Sequence, residues 1–289
     1  MILPAEDALV STAWLARHLN APDVRVVDAS WYLPDQGRDA SREFIHAHIP
    51  RAVFFDIDEI CDSECDLPHM LPLPIKFAAR VRKLGLGDGN RIVVYDSGSG
   101  LAAPRVWWTF RAFGHDEVSV LDGGLKAWRA EDRPVDDAPI PPRERHFTAR
   151  LDTTLVRDFD QMRKNLESGA EQVVDARAPG RFTGTEPEPR QGLRAGAIPG
   201  SLNLPFSRLL TDDGRFLPAP ALRQAFEAAG VDLSRPIVTT CGSGVSAAVL
   251  FLGLHLLGCP RLALYDGSWS QWGACDDAPI MTGDRSGDQ

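Results

Sequence analysis

The chain has 289 residues, enough for two domains of ordinary size, and 44% of them are apolar, enough to fill complete cores. Its 31 basic against 40 acidic side chains leave a formal charge of −9, which excludes a nucleic-acid or anionic-membrane surface as the main partner. Five scattered cysteines make no disulfide framework, MILPAEDALVSTAWL carries no basic leader, and the apolar run Val245 to Leu257 is too short to span a bilayer; a reduced, cytoplasmic protein without a membrane segment is expected.

In chain order, Ser11 is placed to cap a helix over STAWLARHL. A strand follows at VRVVDA, residues 24–29, then a loop and short strand around Pro50, an irregular stretch at PHMLPLP, and a helix from Ile75 to Leu84. Arg91 to Asp96 predicts a strand that runs into the glycine loop Ser97 to Gly100. Pro104 to Phe113 predicts a helix, Glu117 to Leu121 a strand, and Asp122-Gly123-Gly124 opens a helix containing Trp128. The second half repeats this order. VVDAS matches VVDAR, HIPRAVFF matches AIPGSLNL, IVVYDSGSG matches IVTTCGSGV and LDGGLKAW matches YDGSWSQW, each displaced by 144 to 149 residues. The proline-rich RPVDDAPIPP separates the copies as a stiff linker would. The expectation is an α/β protein of two tandem domains, residues 1–140 and 150–289, each a mostly parallel sheet flanked by helices. Sites in such sheets form at the carboxyl ends of the strands.

The chemistry concentrates in Ile237 to Leu257. A short β-branched strand meets Cys241, then Gly242-Ser243-Gly244-Val245-Ser246, then an apolar helix. A thiol in a small-residue loop at a helix N-terminus is surrounded by converging amides, which favour thiolate and cradle anions. A cysteine that merely packs needs no such loop. In the first copy the matching position is Asp96, so only the second domain carries the nucleophile and the first is expected to be non-catalytic. A cysteine phosphatase would need an arginine six residues after the cysteine; Ala247 stands there. The segment GRFTGTEPEPR supplies Arg181 and Arg190 as forks for a carboxylate; the plainer alternative is that each pairs with Glu186 or Glu188 on the surface. His69 lies in a loop between Pro68 and Met70. Asp58 is placed to cap a helix starting at Glu59. Cys61 and Cys65 have no second ligand pair, so no metal is expected.

The blocks HIPRAVFFDID, PHMLP, APRVWWTFRAFGH, LDGGLKAW, GRFTGTEPEPR, CGSGVSA and YDGSWSQWG resemble the tandem-domain rhodanese family of sulfurtransferases over nearly the whole chain. CGSGVSA is similar to the active-site loop of the mercaptopyruvate-using branch, with Ser246 where that branch usually has Thr. Thiosulfate-using members carry a basic Cys-Arg-Lys-Gly loop instead, which makes thiosulfate the alternative substrate. The resemblance implies sulfur transfer from a small 2-oxo thiol acid through a Cys241 persulfide. The acceptor would be cyanide or a thiol, either a small one or a thioredoxin-like protein. It implies no cofactor, Arg181 and Arg190 as substrate-binding arginines, Gly242, Gly244, Val245 and Ser246 as the substrate-side loop, and a Ser243-His69-Asp58 proton relay in which the last two come from the first domain. It also implies that Asp175 is structural, and that Ala197 replaces a histidine common in the second domain.

Overall fold

Two unbroken β-branched and apolar runs, Arg91–Tyr95 and Ile237–Thr240, form the central strands of two separate five-stranded parallel sheets. Strands covered on both faces have no polar side to show, so their sequences do not alternate. The computed structural model describes residues 8–33, 36–97, 100–139 and 141–283.

In the first half the elements are β1 (Leu9–Val10), α1 (Thr12–His18), β2 (Val24–Asp28), α2 (Ala40–His46), β3 (Val53–Phe54), α3 (Pro74–Lys83), β4 (Arg91–Tyr95), α4 (Ala103–Ala112), β5 (Val118–Leu121) and α5 (Gly124–Ala130). In the second half they are β6 (Val156–Arg157), α6 (Phe159–Ser168), β7 (Gln172–Asp175), α7 (Pro179–Thr183), β8 (Leu202–Asn203), α8 (Ala219–Ala228), β9 (Ile237–Thr240), α9 (Ala247–Leu256), β10 (Leu262–Tyr265) and α10 (Ser268–Trp272). The sheets have the same order, β1-β5-β4-β2-β3 and β6-β10-β9-β7-β8, so the sequence repeat is a repeat of topology. In both, the connections leaving the two adjacent strands β2 and β4, or β7 and β9, run in opposite directions. That reversal opens a crevice beyond the carboxyl ends of those strands.

The chain divides into two compact units. The first comprises Met1–Glu64, Leu71–Asp152 and Leu210–Leu217; the second comprises Cys65–Met70, Thr153–Leu209 and Pro218–Gln289. Two short segments are thus exchanged relative to the sequence halves, and His69, expected from the first domain, belongs to the second unit. The stretch beyond the proline-rich linker packs onto the first unit. Phe147 is fully buried, its ring 5.7 Å from Phe77 and 6.0 Å from Phe110, and the N–H of Asp152 donates to the Ala112 carbonyl at 2.7 Å. Trp107 and Trp108 are fully buried in the first unit, as Trp269 and Trp272 are in the second, in keeping with core roles.

Local capping follows the sequence. The Ser11 hydroxyl accepts the Trp14 N–H at 3.1 Å, and Asp158 with Gln161 forms a capping box at the start of α6. The turn into α5 is less tolerant. Gly124 has φ +56°, and a Cβ there would lie 2.2 Å from the Asp96 carbonyl oxygen, which already accepts the Leu125 N–H at 3.0 Å. Gly124→Ala should therefore destabilise the protein by about 2–4 kcal/mol, through positive-φ strain added to a backbone clash. Chemical denaturation would show this as a lower midpoint, and an unchanged midpoint would refute the clash.

Candidate active site

Cys241 follows the four fully buried residues of β9 and is itself 2% exposed. The next four residues are buried and Ser246 is half-buried, so the loop enters α9 without reaching the surface. Gly244 turns the chain with φ +76°, a conformation that strains side-chain-bearing residues. The loop's first carbonyls are bound by the turn into α10. Cys241 O accepts the Trp269 N–H at 2.9 Å, and Gly242 O accepts both the N–H (2.8 Å) and the hydroxyl (2.7 Å) of Ser270. The Ser268 hydroxyl accepts the Cys241 N–H at 3.2 Å and donates to the Tyr265 carbonyl at 2.8 Å. Ser268 holds this post at φ +47°, a strained conformation for a residue other than glycine. Among the described residues, the N–H groups of Gly242, Ser243 and Val245 have no acceptor within the chain. These amides can hydrogen-bond an anion at the sulfur.

His69 and Ser243 come together as expected: Nδ1 of His69 lies 3.1 Å from the Ser243 hydroxyl, and each residue is 6% exposed. His69 also has positive φ, +61°. Asp58 belongs to the first unit, where Oδ2 accepts the Trp31 indole N–H at 3.0 Å. The capping role considered for Asp58 falls instead to Asp56, whose Oδ1 accepts the N–H of Asp58 at 2.9 Å, and residues 57–59 form a turn rather than the start of a helix.

Arg181 rises from α7 against the cysteine loop. Its Nη2 is 3.0 Å from the point a Cβ on Gly242 would occupy, so the glycine is what admits the guanidinium. Arg181 does pair with Glu188, Nη2 to Oε2 at 2.5 Å, but this is not a surface pair. The Glu188 side chain is 2% exposed, because its other oxygen accepts Arg177 Nη1 at 2.7 Å. Arg177 in turn binds Asp175 through Nε and Nη2, donates to the Gly196 carbonyl at 2.8 Å and stacks over the Trp269 ring at 4.3 Å. Burial works against the Arg177 charge, but Asp175 and Glu188 outweigh it and raise its pKa. The result is an alternating chain Asp175–Arg177–Glu188–Arg181, two cations and two anions, ending beside Gly242. Arg190 is half-buried in the bend after Pro189. Arg177 escaped the sequence reading, and Glu188 entered it only as a surface partner. The available signal was that VVDAR in the second copy replaces VVDAS in the first, placing a charge where the repeat has Ser30.

These features agree with the relatives the chain has. The rhodanese-like domain model matches it twice, over residues 11–131 and 158–275. A 3-mercaptopyruvate sulfurtransferase of Homo sapiens is 48% identical over 92% of this chain and 91% of its own. A thiosulfate sulfurtransferase of Gallus gallus is 47% identical over 92% of this chain and 93% of its own. Among solved structures, SseA from Escherichia coli, described with the 3-mercaptopyruvate sulfotransferases, superposes with TM-score 0.84 at 38% identity, covering 91% of this chain and 98% of that one. With two matched domains and high-identity relatives across most of its length, the chain belongs to the rhodanese family.

Proposed function

We propose that this protein is a sulfurtransferase that takes its sulfur from 3-mercaptopyruvate. Overall identity does not separate the two substrate branches, since relatives named for either substrate stand at 48% and 47%. The observation that carries the choice is the cysteine loop itself. It has no charged side chain, and the cation beside it, Arg181, comes from α7. Mercaptopyruvate is a monoanion whose charge sits on its carboxylate, away from the reacting sulfur, so an arginine at the loop's edge and neutral amides at its centre fit the two ends of one molecule. Thiosulfate would bring its charge directly to the loop.

In the reaction the Cys241 thiolate attacks the substrate sulfur, the carbon–sulfur bond breaks, and its electron pair leaves as the enolate of pyruvate. The enolate takes up one proton to give pyruvate, and the sulfur stays on Cys241 as a persulfide. Ser243 backed by His69 can pass that proton, since their hydrogen bond sits in the same buried loop. An acceptor thiolate, from a small thiol or a thioredoxin-like protein, then attacks the outer sulfur and restores Cys241.

Cys241→Ser should abolish transfer with the fold retained, and the wild type exposed to 3-mercaptopyruvate alone should gain the mass of one sulfur on Cys241. Wild-type turnover in the serine variant would rule out the assignment. In steady-state assays with one acceptor, 3-mercaptopyruvate should give the higher kcat/KM, and equal use of thiosulfate would reject the branch but not the persulfide.

Arg181→Ala removes a charge-assisted contact of about 1.5–3 kcal/mol, so kcat/KM for mercaptopyruvate should fall about ten- to a hundredfold. Glu188→Gln leaves Arg181 present but loosens its anchor. It should raise KM while also lowering the denaturation midpoint, because Arg177 loses one of its two buried carboxylate partners. Unchanged KM in both variants would separate this arginine from the substrate.

A further inference from the structure

The first unit has a cavity of its own, about 530 Å³, in the range of small-molecule sites. It lies where the fold favours ligands: Asp28 ends β2, Ser97 follows β4, and these strands flank the reversal of connections in the first sheet. It is thus the counterpart of the crevice that holds Asp175 and Gly242 in the second unit. Its chemistry has changed. Three of the amides after β4 are already bound from within, because the Asp96 carboxylate accepts the N–H groups of Gly100 (3.2 Å), Ala102 (3.0 Å) and Ala103 (2.9 Å). A ligand here must find its charge partner among the side chains of the walls.

Among the described residues, those walls carry three cations, Arg38, Lys126 and Arg129, against two acids, Asp28 and Glu43. The two acids are engaged already: Asp28 Oδ1 accepts the N–H (2.8 Å) and hydroxyl (2.5 Å) of Ser30, and Glu43 accepts Arg38 Nε (2.8 Å) and the Tyr32 hydroxyl (2.7 Å). The cations from α5 form no ion pair among the described residues, though Arg129 is near enough to Glu43 to help hold its carboxyl below the usual range. Lys126 Nζ donates to a backbone carbonyl, that of Asp212, at 2.9 Å, and among the described residues Arg129 has no carboxylate at ion-pair distance. Both residues are exposed at the rim, whereas Phe44 and Leu125 line the cavity with buried apolar surface. We infer that this cavity is a second binding site for a small organic anion, one with a carboxylate or sulfonate head for Arg129 and Lys126 and a short apolar body for Phe44 and Leu125. The inference is independent of Cys241 chemistry, because every described lining residue belongs to the first unit.

The test is a ligand-detected NMR titration of the full chain with sodium 2-naphthoate, beside neutral 2-naphthamide. One saturable site with an affinity of about millimolar is expected for naphthoate, and none for the amide. Binding should persist in Cys241→Ser and in Arg181→Ala, and should weaken about tenfold in the double variant Lys126→Gln, Arg129→Gln. That variant alters only exposed side chains and should keep the wild-type denaturation midpoint. Absence of saturation, equal binding of the amide, or full binding by the double variant would overturn the proposal. Loss of binding in Arg181→Ala with retention in the double variant would place naphthoate in the second unit and overturn it as well. If sulfur transfer itself fails to appear, these readouts still stand.

Discussion

The structure turns on what a parallel strand does when it runs into a helix through a tight loop of small residues. The loop's amides converge, and something must accept their hydrogen bonds. The duplicated chain solves this twice. After β4 the chain supplies the acceptor itself, the 4% exposed Asp96 carboxylate bound by three amides. After β9 the same position is Cys241, a side chain with no permanent charge, beside the amides of Gly242, Ser243 and Val245, which have no acceptor among the described residues. One backbone device is closed in the first unit and open for chemistry in the second. The neighbouring turn diverges in step. Gly124 lets the Asp96 carbonyl approach to a distance no Cβ would permit, whereas Ser268 at the matching position accepts strained dihedrals and spends its hydroxyl on the Cys241 N–H. Strain of this kind persists only where surrounding contacts over-determine it, here the bonds from Ser268, Trp269 and Ser270 into the loop.

The second constraint is electrostatic. A buried guanidinium without partners would cost several kcal/mol, and Arg177 is 2% exposed. It is tolerable because Asp175 and Glu188 flank it and Trp269 lies under its face. Glu188, buried by that pairing, has one oxygen left, and this oxygen fixes Arg181. A structural charge cluster and the cation beside the cysteine loop are thereby one object. The position of Arg181 is set by burial energetics on the side away from Gly242, the kind of arrangement that keeps a binding group pre-organised.

Much of this was legible in the sequence. Four matched blocks gave the repeat, β-branched runs gave β2, β4, β7 and β9, and the small-residue loop singled out Cys241 as the candidate nucleophile. The two-residue strands β1, β3, β6 and β8 were mostly hidden, because so short a piece carries no period. Nor could local patterns show that Cys65–Met70 and Leu210–Leu217 pack with the other half's unit, since that depends on contacts distant in sequence. Glu188 reads as surface from its proline-flanked, polar neighbours. It is buried only because Arg177 is there to receive it, a tertiary effect that overrides composition. Asp58 and Asp56 are equally suited to capping by type, and backbone geometry alone chose Asp56.

Substrate choice follows from joining these constraints. A Cβ at position 242 would meet Arg181 at 3.0 Å, so Arg181 and the bare loop are mutually dependent. A side chain there would press the guanidinium away, and a basic one would move positive charge from the loop's edge to beside the sulfur. As it stands, positive charge lies to one side of the nucleophile and neutral amides lie around it. A ligand that carries its charge at one end and its sulfur at the other is stabilised at both. A compact dianion gains at the arginine but must pack its charge among donors that are only dipoles. On the proposed assignment, the selectivity of the site is a matter of where the cation is fixed rather than of how many cations there are, and the buried Glu188 carboxylate decides where that is.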